Sequence, residues 1–202
     1  YLFSGDFAAE SDGAKPLGAT QYFNRLAQRV TAGLSVATAA GALYEVDTRL
    51  RPSGAQGPLV VSLDSFARYQ REEAWTWEHM ALTRARVLFG SAKARSETDA
   101  IIDAVLNQPR EPQDIVNAAA KMRADIAAHK PPKGPLDVKL CDGGLVDLEF
   151  TVQVMQLVHR KGLVPNLGDA VDTLVGAGLL PQGLSDAYRL LSRFLVTVRL
   201  VA

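Results

Sequence analysis

Cysteine is nearly absent from this chain: Cys141 stands alone among 202 residues. An internal disulfide and a cysteine-rich zinc site are therefore both excluded, and a reducing compartment, the cytoplasm, is the expected location. Charge of one sign is lacking too, because 22 basic residues face 22 acidic ones. No net field draws the chain to nucleic acid or to a membrane surface, so any anion site must be local. Long apolar runs are missing, which argues against a membrane span, and the opening Tyr1-Leu2-Phe3-Ser4-Gly5-Asp6 has neither the basic flank nor the hydrophobic core of a signal peptide. Internal repeats and low-complexity tracts are absent as well. What remains is a chain 48% apolar and 22% charged, with enough material for one core or two small ones.

Residues 1–3 read as the end of a strand, followed by a loop to about Pro16. Between 21 and 34, Phe23, Leu26, Ala27, Val30 and Leu34 recur at helical spacing behind a candidate N-cap, Thr20. The period then changes to two. Tyr44, Val46, Thr48 and Leu50 alternate with Glu45, Asp47, Arg49 and Arg51, which predicts a strand with one charged face. Pro52-Ser53-Gly54 turns the chain, and 58–62 reads as a second strand closing a hairpin. A long helix is expected from Ser62 or Asp64 to about Arg84, with Phe66, Tyr69, Glu73, Trp77, Met80 and Arg84 on one face.

Beyond Gly90 the pattern is helical, with segments at 96–107, 113–129, 146–159, 169–175 and from 185 onward. A boundary near Ser91 divides the chain into 1–90, mixed, and 91–202, all helical. The fold class expected is α+β.

Three motifs carry candidate chemistry. In the first, alternation places Glu45, Asp47, Arg49 and Arg51 on one sheet face, successive side chains about 7 Å apart. A carboxylate beside arginines suits a triphosphate with its metal: Mg²⁺ takes oxygen ligands, often one or two carboxylates plus phosphate oxygens, while guanidinium forks grip the remaining charge. The alternative is a solvated face whose charges pair with one another. In the second, Glu72-Glu73-Ala74-Trp75-Thr76-Trp77-Glu78-His79, the two tryptophans would point about 200° apart on a helix, so one of them must pack outside the core. His79 has no second ligand at metal spacing and reads as a structural hydrogen-bonder.

The third motif is Lys139-Leu140-Cys141-Asp142-Gly143-Gly144-Leu145-Val146-Asp147-Leu148-Glu149-Phe150. A Gly pair opening a helix lets backbone amides approach an anion, with Lys139 close by; the plain alternative is a turn. Asp147 and Glu149 do not share a helical face, so a metal pair is not expected there, and Asp147 suits the helix dipole.

Taken together, the run Tyr44 to Gly54, the stretch from Tyr69 to Arg86 and the segment Lys139 to Phe150 resemble glutamine-synthetase adenylyltransferases, nucleotidyltransferases of the polymerase-beta superfamily. These enzymes have one half that attaches AMP to a tyrosine of glutamine synthetase and another that removes it by phosphorolysis. The Glu-Ala-Trp-Thr-Trp-Glu-His and Arg-Pro-Ser-Gly strings favour the C-terminal, attaching half. The resemblance implies a nucleotidyltransferase sheet with flanking helices, then a helical bundle like that of PII-uridylyltransferases. It also implies ATP as substrate, Mg²⁺ as cofactor, and glutamine synthetase and the signalling protein PII as partners, with no nucleic acid or membrane partner.

In the family the metal is held by an Asp-x-Asp pair on one strand and a third carboxylate on a neighbouring strand, and Asp47 corresponds to the third. Arg49 and Arg51 would meet phosphate charge, and Lys139, Gly143 and Gly144 would contact nucleotide. No Asp-x-Asp pair precedes Asp47 here, so it is expected to lie before Tyr1, which would leave this piece alone inactive. The competing expectations are the AMP-removing half, a PII uridylyltransferase, or a catalytically incomplete regulatory module.

Overall fold

The computed structural model describes residues 1–201, and they form two compact units: Tyr1–Ala74 with Phe89–Ile101, and Trp75–Leu88 with 102–201. The chain is mostly helical with one small parallel sheet, an α+β composition.

The first unit is built on β1 (Leu2–Phe3) and β2 (Val61–Ser62), paired in parallel with Leu2 opposite Val61 and Phe3 opposite Ser62. Helix α1 (Ala19–Ser35) lies between them in sequence. Phe3, Ala19, Ala27 and Val60 form the buried centre, and Phe3 stacks on Phe23 with ring centroids 5.0 Å apart. The apolar stripe of α1 is wider than the face this sheet covers. Ala27 is buried, whereas Leu26 and Val30 are exposed, because two short strands present little beyond Phe3 and Val60 to pack against.

The hairpin expected from the sequence does not form. Residues 44–51 lie in no strand, and β2 pairs with β1 instead. Local side chains take over the backbone groups that a ladder would have used. The Arg51 guanidinium donates to the carbonyl oxygens of Thr48 (2.7 Å), Gly57 (3.1 Å) and Ala55 (3.2 Å), drawing 48–57 into a closed loop. The Arg49 amide donates to the Asp47 carboxylate at 2.9 Å. Side chain-to-backbone bonds of this kind compete directly with sheet pairing. Gly57 is required within the loop, since a Cβ there would fall 1.9 Å from the Pro52 carbonyl oxygen.

Helix α2 (Leu63–Glu72) follows β2 without a gap, capped by the Ser62 hydroxyl, which accepts from the Ser65 amide. The single long helix expected over 62–84 is in fact two, α2 and α3 (Thr76–Leu82), which fall in different units. The break is set by Glu78, whose carboxylate reaches back to accept the Trp75 amide at 2.9 Å and so starts a new helix. Trp75 thus precedes α3 and is exposed, while Trp77, on the helix, is half-buried. Glu78→Ala is expected to cost about 1 kcal/mol through loss of this cap, read as a lower urea midpoint at unchanged slope.

The second unit is all α: α3, the end of α4 (Ala92–Leu106), α5 (Pro112–His129), α6 (Leu145–His159), α7 (Leu167–Gly176) and α8 (Leu184–Val201). Helix α6 is apolar nearly all round because it serves two clusters. One of its faces meets Met80, Leu106, Ile115 and Ala119 through Leu157; the other meets Ala170, Val171 and Leu174 through Leu148 and Val152. Pro112 opens α5 at a position where its missing amide costs nothing, and Asn166 caps α7 by accepting from the Gly168 and Asp169 amides. No helix among the described residues is long and apolar enough to cross a membrane.

Candidate functional site

The charged row in the first unit is held by its own members. Arg49 grips the Asp47 carboxylate through Nε, at 2.9 and 3.0 Å to its two oxygens, and through Nη2 at 2.5 Å. The hydrogen bond and charge of Asp47 raise the Arg49 pKa above its ordinary value. Both side chains are well exposed, Asp47 at 57% and Arg49 at 76%, so solvent and solutes reach the pair freely. Arg51 is placed differently, its guanidinium part-buried among the carbonyls of the 48–57 loop. The alternation that puts Asp47 and Arg49 on one side thus survives without a sheet. Arg51 instead shapes the loop that follows.

As a metal ligand, Asp47 offers one hard carboxylate. No group of three His, Cys, Asp or Glu that could hold a metal ion occurs among the described residues. A single exposed carboxylate is compatible with serving as one oxygen ligand of Mg²⁺, which characteristically completes its shell with phosphate oxygens and water.

In the second unit the Lys139–Glu149 segment is bound to α5 by a residue that sequence reading overlooked, Arg123. Its Nε donates to Asp147 Oδ1 in a very short contact, while Nη2 lies 3.3 Å from Asp147 Oδ2 and 3.1 Å from the Leu140 carbonyl oxygen. Asp147 Oδ2 also accepts the Gly143 amide at 2.7 Å. The Arg123 hydrogen bond above all holds the Asp147 carboxyl below its ordinary pKa; burial opposes it, and the Gly143 amide and the Arg123 charge add to the lowering. The Gly144 amide donates to the Cys141 carbonyl at 2.9 Å. A Cβ on Gly144 would come 2.6 Å from the Val138 carbonyl oxygen, so glycine is needed here for close approach.

Both amides of the Gly pair are thus engaged within the chain, and the anion at Gly143 is the chain's own Asp147. Nothing in the spacing signals Arg123, which lies 24 residues before Asp147 and meets it only because α5 packs on α6. Lys139 stands apart from this network. It is exposed and lines a cleft with Lys130 and His129.

His79 is buried, with Nδ1 3.3 Å from Arg110 Nη2. A guanidinium only donates, so this imidazole nitrogen accepts and the ring proton sits on Nε2. Arg110 also donates to the Val105, Leu106 and Gln108 carbonyls, closing the end of α4. His79 is therefore a structural hydrogen-bonder, bracing that closure.

Comparison with known proteins accounts for nearly the whole chain. A family model described as glutamate-ammonia ligase adenylyltransferase matches residues 2–101, and one described as GlnD PII-uridylyltransferase matches 118–201. Curated proteins named bifunctional glutamine synthetase adenylyltransferase/adenylyl-removing enzyme are similar over most of its length. The one from Mesorhizobium japonicum is 45% identical over 187 residues, 92% of this chain, and the one from Agrobacterium fabrum 49% identical over 189 residues, 90% of it. That from Rhizobium meliloti is 46% identical over 182 residues. The chain spans about a fifth of the length of these relatives, 18–19%. With one family model over the first half and relatives at this identity across nine-tenths of its residues, the chain belongs to the glutamate-ammonia ligase adenylyltransferase family.

Proposed function

We propose that this chain is part of the adenylylating half of such an enzyme, working in the cytoplasm on glutamine synthetase under the influence of PII. In this reading residues 1–90 belong to a polymerase-beta-like nucleotidyltransferase domain and 91–202 to the helical bundle that follows it. The observation that carries the reading is the exposed Asp47–Arg49 pair, a carboxylate and a guanidinium already juxtaposed and open to a metal-nucleotide. The similarity of 2–101 to the adenylyltransferase family model supports it.

The reaction is attack by a tyrosine hydroxyl of glutamine synthetase on the α-phosphorus of ATP. The phenolic oxygen forms the new P–O bond, the bond to the β-phosphate oxygen breaks, pyrophosphate leaves and the phenolic proton is lost to solvent. Bound Mg²⁺ supplies charge stabilisation on the entering and leaving oxygens. Asp47 would hold the metal through a carboxylate oxygen, and Arg49 beside it would meet phosphate charge. Arg51 holds the 48–57 loop in shape beside them and adds positive potential.

To test this, a protein of family length containing this chain is incubated with Mg²⁺, glutamine synthetase and ATP labelled at the α-phosphate. Label is expected on a tyrosine of glutamine synthetase, and none when the γ-phosphate is labelled instead. Transfer of γ-label, or none of either, would sink the reading.

The match of 118–201 to a PII-uridylyltransferase model favours a second reading, in which UTP is the donor and PII the acceptor. The same assay with α-labelled UTP and PII separates the two, because each donor–acceptor pair predicts label on a different protein.

A further inference from the structure

We infer that the helical unit has an anion site of its own, in the cleft between the end of α5 and the start of α6, suited to a small phosphate ester with an apolar body. The inference does not rest on the Asp47–Arg49 pair. The cleft holds about 570 Å³, inside the range of about 300–1,000 Å³ usual for small-molecule sites. Its apolar wall is Ile126, Leu140 and Val146, and its polar side is Lys130, Lys139 and His129.

The two lysines come from separate elements, and the backbone fixes where each begins. The Lys130 amide donates to the Ile126 carbonyl at 2.8 Å, closing α5, and the Lys139 carbonyl accepts the Val146 amide at 3.1 Å, tying the 139 position to the first turn of α6. The backbone that carries each lysine is thereby held, while the long side chains keep the rotamer freedom to reach a ligand. The His129 ring is oriented too: Nδ1 lies 2.7 Å from the Asp125 carbonyl oxygen, which can only accept, so the proton sits on Nδ1.

Two lysines line one cleft, and an anion bound there meets the charge of both. No ion pair involving Lys130 or Lys139 occurs among the described residues. Lysine serves phosphate as a compact point charge, and the wall offers a base or similar flat body an apolar surface. Asp125 is the one acid in the lining, and it favours a hydrogen-bond donor on the ligand, such as a sugar hydroxyl, away from the phosphate. A phosphate ester carrying a hydroxylated, partly apolar body satisfies all three walls.

The test uses AMP as probe against the whole chain in EDTA, followed by calorimetry and by salt titration, with adenosine and inorganic phosphate in parallel. AMP is expected to bind more tightly than either fragment and to weaken as salt is raised. The Lys130→Ala/Lys139→Ala double variant is expected to lose at least about tenfold in AMP affinity, which follows from removing two charge-assisted contacts. Asp47→Asn is expected to leave AMP binding unchanged, so failure here is distinguishable from failure of the adenylyltransferase reading. Single variants Lys130→Gln and Lys139→Gln, each at an exposed position, give intermediate losses and guard against misfolding of the double variant. The site is overturned if the double variant binds AMP within twofold of the parent, if Asp47→Asn abolishes binding, or if AMP at about 10 mM, well above the usual range for specific ligands, does not bind.

Discussion

Replacing Asp147 with alanine is expected to lower the unfolding free energy by about 2–4 kcal/mol, read as a fall in the urea midpoint. The loss has three parts. The guanidinium of Arg123, only 17% exposed, loses its close charge partner and keeps only the Leu140 carbonyl and the more distant, exposed Asp142 at 3.7 Å. The Gly143 amide loses its acceptor. The turn from Cys141 to Gly144, which those bonds hold against α5, loses its tie to that helix. Glu149 supplies a contrast: it pairs with Arg84 at 3.1 Å on the surface, with side chains 31% and 47% exposed, and Glu149→Ala should move the midpoint far less.

Acid provides an independent check on the same pair. The Asp147 carboxyl is held below its ordinary 3.8, chiefly by the Arg123 hydrogen bond. A group whose pKa is depressed by folding contributes stability that is complete above its unfolded value and is lost as pH falls through that value toward the folded one. The difference in stability between the parent and Asp147→Asn should therefore be flat from neutrality down to about pH 5 and shrink below about pH 4. A gap that persists undiminished at lower pH would mean that the asparagine variant suffers from shape, not from loss of the ionised carboxylate.

Much of the helical unit was legible because one physical rule dominates there. Apolar residues at helical spacing place α5, α6, α7 and α8 within a few residues. The break at 73–75 escaped notice because a capping box is ordinarily announced by a small polar residue. Here tryptophan occupies that place, and only its backbone takes part, through Glu78. The charged segment failed in another way. A period of two says which side chains share a side, and Asp47 and Arg49 do; it does not say that a partner strand exists. Pairing is a property of two segments, and the 44–51 segment has its backbone bonds claimed by Arg49 and Arg51.

The same distinction runs through the candidate sites. Asp47, Arg49 and Arg51 were visible together because they are neighbours in sequence. Their division of labour was not, since a guanidinium bound to three loop carbonyls and one bound to a carboxylate look identical as letters. Arg123 was invisible altogether, lying on the plain helical pattern of α5 and acquiring its role only from the packing of α5 on α6. Lys139 was singled out beside the Gly pair, yet its surroundings are the cleft residues of α5, not the Gly amides.

Asp47→Asn, introduced into a protein of family length, is expected to reduce AMP transfer at least about 100-fold, equivalent to about 2.7 kcal/mol of barrier. In the proposed role the carboxylate supplies a negative oxygen to a divalent metal, and an amide of the same shape supplies only a neutral one. Stability should hardly change, because Asp47 is 57% exposed and its pair with Arg49 lies in solvent. That separation of activity from stability is the informative part. Arg51→Ala should do the reverse in degree, loosening the 48–57 loop by removing its bonds to Thr48, Ala55 and Gly57, and lowering activity through disorder that shows in a reduced unfolding midpoint. Arg49→Ala removes one side-chain partner of Asp47 together with the proposed phosphate contact, so it should weaken ATP binding more than it slows turnover at saturating ATP. Turnover by Asp47→Asn within about twofold of the parent, under saturating ATP and Mg²⁺, would remove this carboxylate from the metal and leave the pair as a solvated surface bridge.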